Sequence, residues 1–226
     1  MNISPIAYIK TDFHDKFGVP RQSGRVESLV AEVKFLPEFS APEAFRGIEE
    51  FSHLWLIFDF SLAHRQGFSP TVRPPRLGGN TRKGVFATRS PFRPNSMGLS
   101  SVKLDGVEFC DGIAILRVRG ADLVDGTPIY DVKPYVPYSD SHPDACGSYA
   151  DVHANDFLEV DFSNELLDLV PADKREALLD VLREDPRPSY KEDGDRIYTM
   201  SFSGLDISFK VIISKLTVVD VKRIKS

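Results

Sequence analysis

Seven short runs of β-branched and aromatic residues, with almost no helical period between them, fill the first part of this 226-residue chain. They are Ile6–Lys10, Val26–Phe35, Phe51–Phe60, Val85–Thr88, Ser101–Val107, Ile113–Val118 and Ile129–Tyr135, separated by Gly, Pro or Asp-Gly turns. Runs of this kind read as strands. In the second, Val26, Ser28 and Val30 alternate with Glu27, Leu29 and Ala31, which assigns the two sets to opposite faces. One short helical candidate interrupts the series at Pro42–Glu49, with Ser40 able to cap it and Pro42 in its first turn. So many strands with so little helix predict a closed or nearly closed β-barrel rather than a doubly wound α/β sheet. No strand–GxGxxG–helix unit is present, so the Rossmann route to a nucleotide site is not expected.

After this part the composition shifts. Residues Val136–Asn155 are rich in Ser, His, Asp and Pro and poor in large apolar groups, as a surface connection is. Beyond them Pro171–Glu184 has the pattern of an amphipathic helix, with Leu178, Leu179 and Leu182 as its apolar stripe. Asp185-Pro186-Arg187-Pro188 ends it, and Arg196–Phe202, Ile207–Ile213 and Leu216–Val221 read as strands. The expectation is a mainly β protein: a barrel domain over residues 1–138, a linker over 139–155 and a small α+β domain over 156–226.

The charge pattern points to an anionic ligand. Between Arg65 and Lys103 lie eight basic residues (Arg65, Arg73, Arg76, Arg82, Lys83, Arg89, Arg93, Lys103) and no Asp or Glu, in a chain whose net charge is −5. A basic block in an acidic protein is a local footprint. Arginine dominates it, and arginine suits bidentate contact with phosphate or carboxylate and stacking on a base. Pro74-Pro75, Gly78-Gly79, Pro91 and Pro94 stiffen or sharpen the loops around it, and Phe86 and Phe92 thread through it. A nucleotide cofactor, an RNA loop, or both fit such a surface. In Arg93-Pro94-Asn95-Ser96, a guanidinium and a carboxamide two residues apart can project to one side. Asp125-Gly126-Thr127-Pro128 is a tight turn before a strand. Either it is a plain hairpin turn, or Asp125 accepts from a ribose hydroxyl or an amino group while the amides of Gly126 and Thr127 face an adenine edge.

Other chemistries find no support. The five histidines are scattered and no Cys/His cluster exists, so no metal site is expected. His53, beside Trp55 in an apolar run, reads as a satisfied core histidine. Cys110 and Cys146 form no close pair and read as free thiols of a cytoplasmic protein. The N-terminus has no signal-peptide pattern, and no apolar run is long enough to span a bilayer.

Several strings of this chain resemble the TrmO (TsaA/YaeB-like) tRNA methyltransferases. They are FGVPRQSG (Phe17–Gly24), FSHLWLIFDF (Phe51–Phe60), the string Val72–Leu104, DLVDGTPIYDVKPYVPY (Asp122–Tyr138) and DPRPSY (Asp185–Tyr190). The resemblance implies a non-Rossmann β-barrel methyltransferase domain that uses S-adenosyl-L-methionine and acts as a homodimer. It implies methylation of the exocyclic amino nitrogen of threonylcarbamoyl-adenosine in a tRNA anticodon loop. Matched onto this sequence, the cofactor contacts are Gln22, Ser23, Gly24, Ser61, Leu62, Arg89, Leu99, Asp125, Gly126, Thr127 and Pro128. Ser61-Leu62 stands where the family has a His-containing pair, which nearby His64 could replace, and Ser96-Met97 stands where it has Pro-Ile. Arg93 and Asn95 are candidates for orienting the acceptor, Tyr190 is a further acceptor-side candidate, and Arg73, Arg76 and Arg82 are candidates for phosphate contact. The alternatives are a non-catalytic RNA- or nucleotide-binding module, or a methyltransferase acting on a small molecule.

Overall fold

The computed structural model describes residues 2–74, 77, 81–152, 154–187 and 196–224. Six strands close into a barrel: β1 (Ala7–Lys10), β2 (Val30–Phe35), β3 (His53–Asp59), β6 (Met97–Cys110), β7 (Ile113–Arg119) and β8 (Pro128–Pro134), in the order β1-β2-β7-β6-β3-β8. Every neighbouring pair is antiparallel. The strand period of two sends Ile9, Val33, Leu54, Leu56, Val102, Leu116, Val118 and Ile129 inward, all buried. Closure leaves no unpaired edge, as the density of strand signals predicts. The β6–β7 hairpin turns on Asp111-Gly112, both at positive φ (51° and 77°), the arrangement that matches a two-residue turn to strand twist.

A second core lies beside the barrel. Strands β9 (Glu159–Asp161), β10 (Tyr198–Phe202), β11 (Leu205–Ile212) and β12 (Lys215–Arg223) form a sheet in the order β10-β11-β12-β9. The helix Arg175–Arg183 covers it, burying Ala177, Leu178, Val181 and Leu182. Leu179 is only partly buried, so the expected leucine stripe is completed by Ala177 and Val181. The first turn after Pro171 is a 3-10 turn, Ala172–Lys174. Phe13, Val26 and Leu29, which lie between β1 and β2, belong to this second core and not to the barrel.

That placement corrects two expectations. Val26–Leu29 is a turn closed by the Leu29 amide on the Val26 carbonyl, and Val26 and Leu29 are buried together, three residues apart instead of on opposite faces. The strand begins only at Val30. The predicted helix Pro42–Glu49 is a pair of 3-10 turns, Pro42–Phe45 and Ile48–Glu50, broken at Gly47 with φ 84°. Ser40 does not cap it: its hydroxyl donates to the Leu36 carbonyl and accepts from the Ala114 amide, tying this segment to β7. Val85–Thr88, expected as a strand, forms a 3-10 turn at Val85–Ala87 after the short ladder of β4 (Thr71–Val72) and β5 (Lys83–Gly84). Cys110 and Cys146 are free and exposed, and no described helix is long and apolar enough to cross a membrane.

Candidate functional site

At the end of the barrel where β1 and β3 finish and β6 and β8 begin, four loops enclose a cavity of about 540 Å³. Its size suits a small organic ligand. The floor is made by Phe58 and Gly98, which are directly opposed across the β3–β6 ladder. A Cβ on Gly98 would lie 2.2 Å from the Phe58 ring. Only glycine lets that ring lie flat over the neighbouring strand. Met97 and Leu99 point away from the barrel core and, with Leu62, give the cavity an apolar rim.

The polar groups come from the loops. Gln22 and Arg89 meet across the cavity wall, the Arg89 guanidinium donating to the Gln22 carboxamide at 2.5 Å. Asp122 accepts from the Ser100 hydroxyl at 2.5 Å, and the Ser23 amide lies near the same carboxyl. Burial pushes the Asp122 carboxyl up from its ordinary value, against the opposing pull of these donors and of the Arg89 charge. Asp59 is 8% exposed and faces His64, Nε2 to Oδ1 at 2.7 Å. Lys16 donates to the Leu62 carbonyl; its ammonium is pushed down by desolvation and then by the Arg65 charge. Arg93 lines the cavity while its Nη1 donates to the carbonyls of Thr88 at 2.7 Å and Val85 at 3.3 Å. Phe68 and Phe86 stack just outside, with the Arg93 guanidinium 5.9 Å from the Phe86 ring centre.

Gln22, Ser61, Leu62, Arg89, Leu99 and Thr127 of the expected cofactor set line this cavity, and so does Arg93 of the acceptor set. Ser23 reaches it through its amide near the Asp122 carboxyl, and the Gly24 amide is bonded to the Gly120 carbonyl. Asp125 does not line it. Its carboxylate accepts from the Thr11 amide at 2.9 Å and lies 3.7 Å from His14. The Gly126 amide donates to the Ile9 carbonyl, so the Asp-Gly turn braces β1. Pro128 pairs with Tyr8 instead of facing the cavity. Asn95 is exposed and off the cavity, and Arg73 and Arg82 are exposed residues that flank the β4–β5 ladder, also off the cavity. Lys103, the last of the basic block, pairs with Glu27 at 3.7 Å: an acid absent from the local sequence arrives through the fold. Arg76 and Tyr190 lie outside the described residues. Asp59, Ser100, Asp122 and Lys16 were missed. Asp122 opens the string DLVDGTP, but the turn signal at Asp125-Gly126 draws attention past it.

The loop carrying Gln22 is held from outside the barrel. The Arg21 guanidinium donates to the carbonyls of Arg187 at 2.6 Å and Asp185 at 3.3 Å. Those carbonyls are fixed in turn by the buried, bidentate pair of Arg187 and Asp185, both bonds 2.7 Å. Arg25 adds an ion pair to Glu184 at 2.9 Å, and Ser28 donates to Asp180.

The model of the tRNA-methyltransferase O N-terminal domain matches residues 8–141, and that of the TrmO C-terminal domain matches residues 155–224. The chain belongs to the TrmO family. It is 42% identical over 214 residues to the tRNA (adenine(37)-N6)-methyltransferase of Escherichia coli K12, covering 91% of each chain. It is 39% identical over 214 residues to "Putative S-adenosylmethionine-dependent methyltransferase RcsF" of Pseudomonas aeruginosa, covering 91% of this chain and 90% of the relative. A crystal structure of TrmO from Pseudomonas aeruginosa matches with a TM-score of 0.77 and 33% identity, over 98% of both chains. The β-barrel expected from the strand pattern is therefore the TrmO barrel.

Within this TrmO frame the Arg21 clamp is a testable device. Arg21→Ala removes two charge-assisted bonds that cross to the second core, each worth about 1.5–3 kcal/mol where the geometry is good. The expected result is a cofactor affinity lowered roughly tenfold with near wild-type far-UV circular dichroism, measured by calorimetry. Unchanged affinity would show that the loop holds its shape without the clamp.

Proposed function

We propose that this protein transfers the methyl group of S-adenosyl-L-methionine to the exocyclic amino nitrogen of threonylcarbamoyl-adenosine beside the anticodon of a tRNA. The observation that carries the reading is the loop-enclosed cavity at the barrel end, in a chain that matches both TrmO domain models. Its residues suit the cofactor: an apolar floor of Phe58 and Gly98 for a flat ring, and charged groups of both signs for the polar ends. When bound, that cofactor supplies an electrophilic methyl group on a sulfonium. The chain's own residues then have positional work. Gln22, Arg89, Leu99 and Thr127 hold one ligand, Ser61 and Leu62 close its rim, and Arg93 at the cavity wall faces the acceptor. Held reactants react faster because alignment replaces a bimolecular encounter, by up to about 7–11 kcal/mol in well-oriented systems.

The acceptor lies in a single-stranded loop whose splayed bases are the usual target of RNA readers. Arg73 and Arg82 track its phosphates in this reading, and Asn95 contacts the modified base from outside the cavity. The stacked pair Phe68 and Phe86, 53% and 74% exposed, is available to a flanking base. The same reading takes the protein as a cytoplasmic homodimer, built as a barrel domain over 1–138, a connection over 139–155 and an α+β domain over 156–226.

The test is transfer of labelled methyl from the cofactor to total tRNA with and without the threonylcarbamoyl group. Label is expected only in the modified sample, and its absence there would sink the reading. Equal labelling of the isolated modified nucleoside would move the assignment to a small-molecule methyltransferase. In the same system, replacing Arg73 and Arg82 by alanine is expected to lower the slope of log affinity against log salt by about 2.

A further inference from the structure

Of the acids that line the cavity, Asp59 has a basic partner in His64 and Asp122 has none among the described residues. The donors that face the Asp122 carboxyl are neutral: the Ser100 hydroxyl, bonded at 2.5 Å, and the nearby backbone amides of Asp122 itself and Ser23. Arg89 stands on the same wall, close enough for its charge to act on Asp122, yet it donates to the neutral Gln22 carboxamide and not to that carboxylate. Two opposite charges facing one cavity, near each other but unpaired, are costly unless a ligand carries the complementary pair. An α-amino acid zwitterion is such a ligand.

We infer that Asp122 binds the α-ammonium of the methionyl moiety of S-adenosylmethionine, with Arg89 taking its α-carboxylate. The inference rests on the proposed cofactor and names the subsite that reads its amino-acid end. Ser100, 3% exposed on β6, fixes the Asp122 carboxylate by donating to Oδ1, and a carboxylate with about four lone-pair sites keeps acceptor capacity for an incoming ammonium. The Ser23 amide faces the same carboxyl from the Gln22 loop, so both halves of the charge reader meet that loop. The apolar floor of Phe58 and Gly98 and the rim of Leu62 and Leu99 remain for the rest of the cofactor.

Three ligands separate this role from its competitors: S-adenosylmethionine, S-adenosylhomocysteine, which keeps the amino-acid end, and methylthioadenosine, which lacks it. Calorimetry with Asp122→Asn is expected to show affinity for the first two lowered about 10- to 100-fold, with methylthioadenosine within about twofold of wild type. Arg89→Ala is expected to follow the same pattern. Because asparagine can still accept from Ser100, the variant keeps its fold, and wild-type affinity for methylthioadenosine verifies that independently. Equal losses for all three ligands would overturn the inference and make Asp122 a brace of the Gln22 loop. Unchanged affinities with a fallen turnover would also overturn it, by making Asp122 the acceptor of the amino proton. Failure of the wild-type protein to bind S-adenosylmethionine at all would instead overturn the proposed function.

Discussion

Phe209→Ala is expected to cost about 3–5 kcal/mol of stability and to weaken cofactor binding, although Phe209 is not part of the cavity wall. Its ring is fully buried in the second core, 5.8 Å from the Tyr198 ring and 6.4 Å from the Phe17 ring, nearly parallel to both. Removing it leaves a void that the surrounding β11 and β12 residues cannot collapse into. The midpoint of thermal unfolding should fall by roughly 6–20 °C for a chain of this size. The second consequence follows from Phe17, which precedes Val19, Pro20, Arg21 and Gln22 of the cavity wall. With its stacking partner gone, that segment loses the support that fixes its path. Hydrogen exchange should quicken in residues 13–29 while β3 and β6 remain protected. A variant that loses stability but binds cofactor with full affinity would show that the second core does not position this loop.

The second large effect belongs to Gly98→Ala. An added Cβ would lie 2.2, 2.4 and 2.7 Å from three atoms of the Phe58 ring, distances that carbon atoms do not tolerate. Phe58 cannot tilt freely, because it is 3% exposed and packs edge-on against Phe60 at 5.0 Å. Overpacking of this kind costs about 1–3 kcal/mol. Here it also reshapes the cavity floor, so cofactor affinity should fall at least about tenfold, a change of about 1.4 kcal/mol. Combining it with Phe58→Leu should recover part of both losses, since the two side chains compete for one space. If the double variant is as impaired as the sum of the singles, the clash is not the cause.

The barrel is legible in the sequence because its signal is local. Alternation at Ile113–Val118 and the branched, aromatic run His53–Asp59 declare strands without reference to any partner. What stays hidden depends on partners far along the chain. Val26 and Leu29 look like strand residues, but the core that buries them comes from the helix Arg175–Arg183 and β10 to β12. Val85 is buried while Phe86 and Ala87 are exposed, so a run with strand composition has only one anchored residue and coils into a turn. The site divides the same way. Gln22, Arg89, Leu99 and Thr127 stand in recognisable strings and do line the cavity. Asp125 has the stronger turn signal and braces β1, while Asp122, with no local signal, faces the ligand space. Sequence proximity placed Arg93 and Asn95 on one side, yet the turn closed by the Met97 amide on the Asn95 carbonyl leaves Asn95 outside.

The excursion of residues 13–29 into the second core has a consequence for how the protein comes into being. On the ribosome β1 emerges first, and the core that buries the segment after it is complete only when the helix Arg175–Arg183 and β10 to β12 have been made, most of the chain later. At about 5–20 residues per second that interval is roughly ten seconds or more. Through it Phe13, Phe17, Val26 and Leu29 stay exposed, and the amide of Ser203 has yet to reach the carbonyl of Asp12. The binding wall is thus among the first parts of the chain to be synthesised and among the last to take shape. A chain that stops short of β10 leaves the ribosome with the material for a barrel but with Gln22 on an unanchored loop.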